Sequence, residues 1–84
     1  MMQIHCIKLH RNFADAVHNG LKTFEIRKND RGYQAGDGVF FTVVDDDGHS
    51  VEHPVAQVAY RITYLLHGYG LQDGYCVFGI EPQL

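Results

Sequence analysis

The sequence predicts one small, mainly β domain of the α+β class, with a single short helix near its start, on three observations. The chain has 84 residues, of which 45% are hydrophobic and 20% charged, as in ordinary globular proteins. A chain of this length buries about 63% of its unfolded surface, which is enough for one core. Apolar residues alternate at period two in several segments and follow helical spacing in one. We therefore treat residues 1–84 as a single domain.

The one helical pattern lies directly after the first apolar segment. Asn12 is the expected N-cap, and Phe13, Ala16 and Val17 form an apolar stripe at i, i+3 and i+4. The pair Asn19-Gly20 then supplies a residue that tolerates positive φ, as helix ends require. The expected helix therefore ends just before residue 20.

Five apolar segments separated by turn formers are the expected strands. They cover residues 3–9, 22–27, 39–44, 55–65 and 75–80, and Pro54 is expected to open the fourth. The glycine-rich residues 29–38 and 67–74 are expected loops, and the acidic run at 45–50 is an expected hairpin turn. A small barrel is the expected arrangement, because an open sheet of this size would leave long edges exposed.

No segment of the chain indicates a membrane or secreted protein. No window holds the ~18 uncharged apolar residues of a membrane span, and the first ten residues lack the layout of a secretory signal. Cys6 and Cys76 are too few for a disulfide scaffold and form no CxxC motif, so we expect both to be reduced core thiols. The sequence therefore predicts a cytoplasmic protein with no membrane partner.

Six histidines raise the question of a metal site. Only His49 and His53 have a suggestive interval, and Gly48 and Pro54 place them in a turn where helical i, i+4 geometry is unavailable. No third ligand accompanies them. We therefore expect no metal and no other cofactor.

Positive charge is concentrated in one stretch, residues 22–31, which we call the cationic segment. It holds four of the seven basic residues and a net charge of +2, against −3 for the whole chain. A local cationic patch on an acidic body favours one phosphate or a short oligonucleotide and repels long polyanions. The basic residues of the segment are Lys22, Arg27, Lys28 and Arg31.

The same stretch carries a resemblance to a known family. Gly20, Lys22 and Arg27 match the GxKxxxxR signature of ASCH domains, which resemble PUA domains in fold. The run KTFEIRKNDR, the pair Gly36-Asp37 and the later RITYLLHGYGLQDGYCVFGI resemble an uncharacterised, DUF3850-like subgroup found in phages and bacteria. The resemblance covers nearly the entire chain. It implies a PUA-like pseudo-barrel of five or six strands with the helix plugging one end, and a cleft that binds RNA or a nucleotide-like ligand.

The second expected strand carries the central candidate residues. At period two, Phe24 and Ile26 share one face while Thr23, Glu25 and Arg27 share the other. Continued at period two, Lys22 would fall on the face of Phe24 and Ile26, which is the expected buried face. A buried, unpaired ammonium is costly, so Lys22 is expected either to precede the strand or to point into a polar cleft, and the cleft is the functional interpretation. On a binding face Glu25 would read a base edge and Arg27 would hold a phosphate through two hydrogen bonds. The alternative is a solvated face with a Glu25–Arg27 pair worth under about 1 kcal/mol.

Other residues complete the candidate site. Gly20 allows close approach of a ligand, although a plain helix C-cap explains it as well. Loop tyrosines are candidates for base stacking, and Arg61 would add a cation if the fold brings it near Lys22. The expected ligand-binding residues are Gly20, Lys22, Thr23, Glu25, Arg27, Arg31, Tyr33 and Tyr69.

Catalysis is the open question of the sequence. Some ASCH proteins resemble amidohydrolases of acylated nucleosides, in which a lysine activates a threonine three residues later and a distant acid assists. Here Lys22 is followed at that interval by Glu25, and the acid would be Glu81 or Asp73. In a ribonuclease, Lys22, Glu25 and Arg27 would act as acid, base and charge stabiliser. We expect a binding module, with a small hydrolase or a protein-interaction regulator as alternatives.

Overall fold

Five strands form one curled sheet in the computed structural model, which describes residues 2–83. They are β1 (Ile4–His10), β2 (Phe24–Lys28), β3 (Gly38–Val44), β4 (Tyr60–His67) and β5 (Tyr75–Pro82). The spatial order is β1-β3-β4-β5-β2; β1 and β3 pair in parallel, and the other neighbours pair antiparallel. The predicted class, mainly β with one helix near the start, is confirmed.

The sheet curls into a half-barrel and does not close by backbone pairing. The two edge strands, β1 and β2, are bridged by side chains instead. Arg27 Nη2 donates to the Lys8 carbonyl at 2.6 Å, and Arg31 Nη1 donates to the Cys6 carbonyl at 3.1 Å. The edges that full closure was expected to remove are therefore retained, and guanidinium groups satisfy carbonyls along one of them.

The helix α1 (Arg11–His18) begins one residue after β1 ends, with no intervening loop. Its N-cap is His10, whose Nδ1 accepts from the Asn12 N–H at 3.1 Å, so the prediction that Asn12 is the cap is wrong. His10 is the last residue of β1, one beyond the expected strand, and has the extended backbone that a cap requires.

The buried side of α1 differs from the predicted stripe. Ala14 and Val17 are buried, whereas Phe13 is 55% exposed. Because the helix follows β1 directly, its orientation is fixed by the strand, and the larger Phe13 lies outside the core. The helix end is as predicted, with Gly20 at φ +75°.

The hydrophobic core lies on the concave side of the sheet, beneath α1. Alternate residues of β1, β3 and β5 face it, as period two requires. Its members are Ile7, Leu9, Ala14, Val17, Tyr33, Val39, Phe41, Val43, Val55, Tyr60, Ile62, Cys76, Phe78 and Ile80.

The fourth expected strand is divided in the structure. Pro54 opens a short 3₁₀ helix (Pro54–Gln57) in place of a strand, and His53 Nδ1 accepts from the Val55 N–H at 3.1 Å to cap it. Proline at a first helical position loses no hydrogen bond, which explains the difference. A bulge between Ile62 and Leu65 then interrupts the alternation of β4 and leaves Tyr64 exposed.

Three smaller expectations have mixed outcomes. The acidic run at 45–50 is a turn, closed by the Asp45 N–H donating to the His49 carbonyl at 2.9 Å.

Cys76 is a buried free thiol as predicted, but Cys6 is exposed on β1, because the inner face of that strand carries its odd-numbered residues. In the described residues, no helix has the length and apolar character needed to cross a membrane.

A buried side-chain hydrogen bond fixes the start of β3 against β1. His5 Nε2 lies 2.8 Å from Asp37 Oδ2, and both side chains are buried. Asp37 also accepts from the backbone N–H groups of Gln3 and Gln34, each at 3.1 Å. Burial alone would raise the pKa of Asp37, but these hydrogen bonds lower it below its usual value of 3.8. The carboxylate thus joins three segments of the chain.

Replacing Asp37 by alanine is expected to lower the free energy of unfolding by about 1–3 kcal/mol, because buried donors lose their acceptor. The exposed Asp73→Ala is the matched control. A lowered pKa means that Asp37 stabilises the fold above its ordinary pKa and that this contribution is lost as pH falls below it. Urea denaturation at pH 7 and pH 3 measures both effects, and equal stability of the two variants at pH 7 would contradict the assignment.

Candidate functional site

A cleft of about 690 Å³ opens where β1 and β2 fail to pair. Strand β1 forms one wall, β2 the other, and α1 closes one end, so the cleft is a consequence of the incomplete barrel. Its volume lies within the range of small-molecule sites. The lining residues are Lys8, Leu9, His10, Phe13, Ala16, Leu21, Lys22, Phe24, Glu25, Ile26 and Arg27.

Glu25 is the buried polar residue of this cleft, with only 3% of its surface exposed. The predicted period of β2 is correct but the assignment of its faces is wrong. Phe24 and Ile26, expected on the buried face, are 42% and 53% exposed. As β2 is an edge strand beside an open gap, its apolar side borders the cleft while its charged side turns inward.

The Glu25 carboxylate is held by two cations. The Lys22 ammonium contacts Oε2, and Arg27 Nε donates to Oε1 at 3.0 Å. A carboxylate so deeply buried is stable as an anion only with such partners. Lys22, Glu25 and Arg27, which we call the charged triad, carry a net charge of +1 when all are ionised.

The two cations of the charged triad also satisfy backbone carbonyls at the open edges. Lys22 Nζ donates to the Phe24 carbonyl at 2.7 Å, on β2, while Arg27 reaches the Lys8 carbonyl on β1. An ammonium has three donors and a guanidinium five, so both groups keep donors beyond these contacts. The triad therefore links the open edge of β2 to β1 through Arg27. Its two cations still offer hydrogen-bond donors to the cleft.

Burial alters the basicity of the triad. Desolvation, and next the neighbouring Arg27 guanidinium, lower the pKa of Lys22 from 10.5 to about 8. The Glu25 carboxylate acts in the opposite direction, since an adjacent anion favours the ammonium. Desolvation also lowers the pKa of Arg27, with a smaller contribution in the same direction from Arg31. Lys22 thus loses its proton much closer to neutrality than an exposed lysine.

Titration of the Lys22 side chain by NMR is expected to show a midpoint near pH 8. Glu25→Gln removes the anion that favours the ammonium, so the midpoint is expected to fall further in that variant. The Cε and Nζ chemical shifts measure both. A midpoint near 10.5 in the native protein, or one that rises in Glu25→Gln, would contradict the proposed electrostatics.

Other predicted site residues lie outside the main cleft. Gly20 and Thr23 line a smaller depression beyond Lys22, formed with Tyr60 and Ile80. Thr23 therefore does not join Glu25 and Arg27 in one row facing a common ligand. Arg31 is used to bridge to the Cys6 carbonyl and does not line the cleft.

The two loop tyrosines do not form stacking platforms in the cleft. Tyr33 is 4% exposed, with its ring centroid 4.7 Å from that of His5 and 4.8 Å from that of Phe78, so a base cannot reach it. The glycine-rich loop folds inward and contributes this ring to the core. Tyr69 is 92% exposed but lies outside the cleft lining.

The remaining charged candidates are also distant from the charged triad's cleft. Arg61 pairs with Glu81 across β4 and β5, and neither lines the cleft. Asp73, the other acid considered for hydrolysis, is likewise not among the lining residues. The structure therefore brings together Lys22, Glu25 and Arg27 and leaves the other predicted residues apart.

Sequence reasoning missed the apolar side of the cleft. Four exposed hydrophobic residues line it, and Lys22 Nζ lies 5.6 Å from the Phe13 ring centroid and 5.3 Å from that of Phe24. The sequence signal for this apolar side was the alternation of apolar and charged residues after Gly20. In an edge strand, that alternation does not show which of the two faces is exposed. These four residues are Phe13, Leu21, Phe24 and Ile26.

One group of possible metal ligands lies away from the cleft. Ligand atoms of Asp45, Asp47 and His49 fall within 4.8 Å of one another on the turn after β3. Asp45 Oδ1 already accepts from the backbone N–H groups of Asp47 and His49, each at 2.9 Å. The geometry of the cluster is therefore accounted for by the turn itself.

Comparison with known proteins places the chain in a family. Residues 4–80 match the model of a domain of unknown function, DUF3850, and the chain belongs to that family. A 37-residue stretch is 49% identical to an uncharacterised 12.9 kDa protein of the GpA 3′ region in Escherichia phage P2. That alignment covers 44% of this chain and 34% of the phage protein, so the chain spans about a third of that relative.

Proposed function

We propose that this member of the DUF3850 family binds a nucleotide, free or at the end of a short RNA, in the cleft between β1, α1 and β2. The observation that carries the proposal is the convergence of Lys22 and Arg27 on a concave cleft with exposed apolar walls, where both retain donors. The resemblance of Gly20, Lys22 and Arg27 to the ASCH signature implies the same ligand class.

The charged triad restricts what the ligand presents. Glu25 is 3% exposed and both its oxygens accept from Lys22 and Arg27, so we assign it to holding these cations and not to reading a base edge. The groups left to the ligand are donors, which pair with phosphate oxygens or base carbonyls. With a net charge of −3, the whole chain repels long polyanions, which favours a mononucleotide or a chain end.

A small hydrolase is the second candidate, and one observation favours it. A lysine whose pKa is lowered to about 8 is suited to proton transfer near neutral pH. Thr23 lies outside the cleft, so the nucleophile would be water in amide hydrolysis and the substrate's own 2′-hydroxyl in RNA cleavage. Such an enzyme would hydrolyse an acylated nucleoside or cleave RNA with Lys22 as the general base or acid.

We further propose a cytoplasmic location, or another reducing compartment, which the free thiols of Cys6 and Cys76 support. Thiol labelling of Cys6 in freshly lysed cells tests this proposal. A Cys6 blocked by an intermolecular disulfide would contradict it.

Adding nucleoside 5′-monophosphates is expected to shift the NMR signals of Lys22, Arg27 and the backbone of β2. Lys22→Gln is expected to weaken binding about tenfold or more, because a charge-assisted hydrogen bond to the ligand is lost. Lys28→Gln removes the same charge at the end of β2, outside the cleft lining, and is the matched control. Thermal unfolding of both variants establishes that each remains folded before affinities are compared.

Three outcomes separate the candidates. Saturable shifts confined to the cleft, with affinity falling as salt rises and no new product, support the binding module. Turnover of an N-acylated cytidine or a short RNA that disappears in Lys22→Gln supports the hydrolase. Signals that stay fixed with every nucleotide up to millimolar concentration, with no turnover, would end both proposals.

A further inference from the structure

Two large side chains of the cleft do not belong to the buried core. Phe13 on α1 and Phe24 on β2 are each about half exposed, although both are large aromatic residues. Exposed apolar surface gathered in one concavity, rather than scattered singly, marks a place where a partner covers it. Leu21 and Ile26 continue the same lining.

The two rings also share a position relative to the charged triad. The Lys22 ammonium lies 5.6 Å from the Phe13 ring centroid and 5.3 Å from that of Phe24. One ring on α1 and one on β2 therefore lie beside the same ammonium group. A ligand that reaches the donors of Lys22 must therefore pass between or against these rings. Its apolar part is recognised there, while its acceptors meet the cations.

This arrangement fits a planar heterocycle better than a bare anion. A phosphate would satisfy the donors but leave both rings in contact with water. An aromatic base offers two faces for stacking and, at its edge, carbonyl oxygens or ring nitrogens that accept hydrogen bonds. The two loop tyrosines are excluded as platforms by position, since Tyr33 is buried and Tyr69 lies outside the cleft.

We propose that Phe13 and Phe24 are the stacking platform of the cleft, so that the part of the ligand bound inside is the base and not the phosphate. The inference rests on the proposed nucleotide function and adds to it the identity of the recognised group. It predicts that a nucleoside binds without any phosphate, and that ribose 5-phosphate binds poorly. Lys22 and Arg27 then act on the acceptor edge of the base.

The test uses 2-aminopurine riboside, whose fluorescence falls when the base stacks on an aromatic ring. The native protein is expected to quench it and to shift the base protons upfield. Phe13→Leu and Phe24→Leu preserve apolar bulk and remove the ring, and each is expected to weaken binding by about 5- to 150-fold. Phe40→Leu is the matched control, since Phe40 is a similarly exposed ring on β3 outside the cleft.

Two results would overturn the inference while leaving the proposed function standing. One is unchanged affinity, within about twofold, in both Phe13→Leu and Phe24→Leu while the nucleotide still shifts Lys22. The other is binding of ribose 5-phosphate at Lys22 and Arg27 with no binding of the nucleoside. Failure of nucleotide, nucleoside and ribose 5-phosphate alike would overturn the inference and the proposed function together.

Discussion

The carboxylate of Glu25 lies on the inward side of an edge strand, where water cannot solvate it. Such an anion is stable only if cations and hydrogen-bond donors replace the lost solvent. Lys22 and Arg27 supply them, and each also donates to a backbone carbonyl at an open edge of the sheet. One buried charge therefore determines where two cations point, and one of them, Arg27, in turn joins β2 to β1. The half-barrel and the cleft depend on this interaction.

In a barrel closed by backbone hydrogen bonds, the two edge strands β1 and β2 would pair directly and leave no space between them. Here the bridging is done by long side chains, Arg27 and Arg31, and side chains can span a gap that a backbone ladder cannot. The space that Arg27 crosses is the cleft, with α1 over one end and apolar residues along the wall. The cationic segment can therefore both bridge the sheet and bind a ligand. Lys22 and Arg27 each keep hydrogen-bond donors beyond those used for Glu25 and the backbone carbonyls.

Local patterns in the sequence predicted most of the fold. Period-two runs and turn formers located the strands to within a few residues, and the glycine after α1 marked its end. What depended on tertiary context was not predicted: the inward face of β2, the burial of Tyr33 from a glycine-rich loop, and the cap supplied by His10 at the end of a strand. In an edge strand beside a gap, the alternation of apolar and charged residues does not show which face is buried. For that reason the sequence located the charged triad in the chain but assigned Phe24 to the core.

The exchange rate of the Arg27 Nε proton tests the central claim most directly, because that proton is donated to Glu25 Oε1. In the native protein it is expected to exchange with water at least tenfold more slowly than the corresponding proton of the exposed Arg11. In Glu25→Gln it is expected to exchange markedly faster, since the charged acceptor is gone. Exchange as rapid as that of Arg11 in the native protein would show that the carboxylate does not organise the cleft.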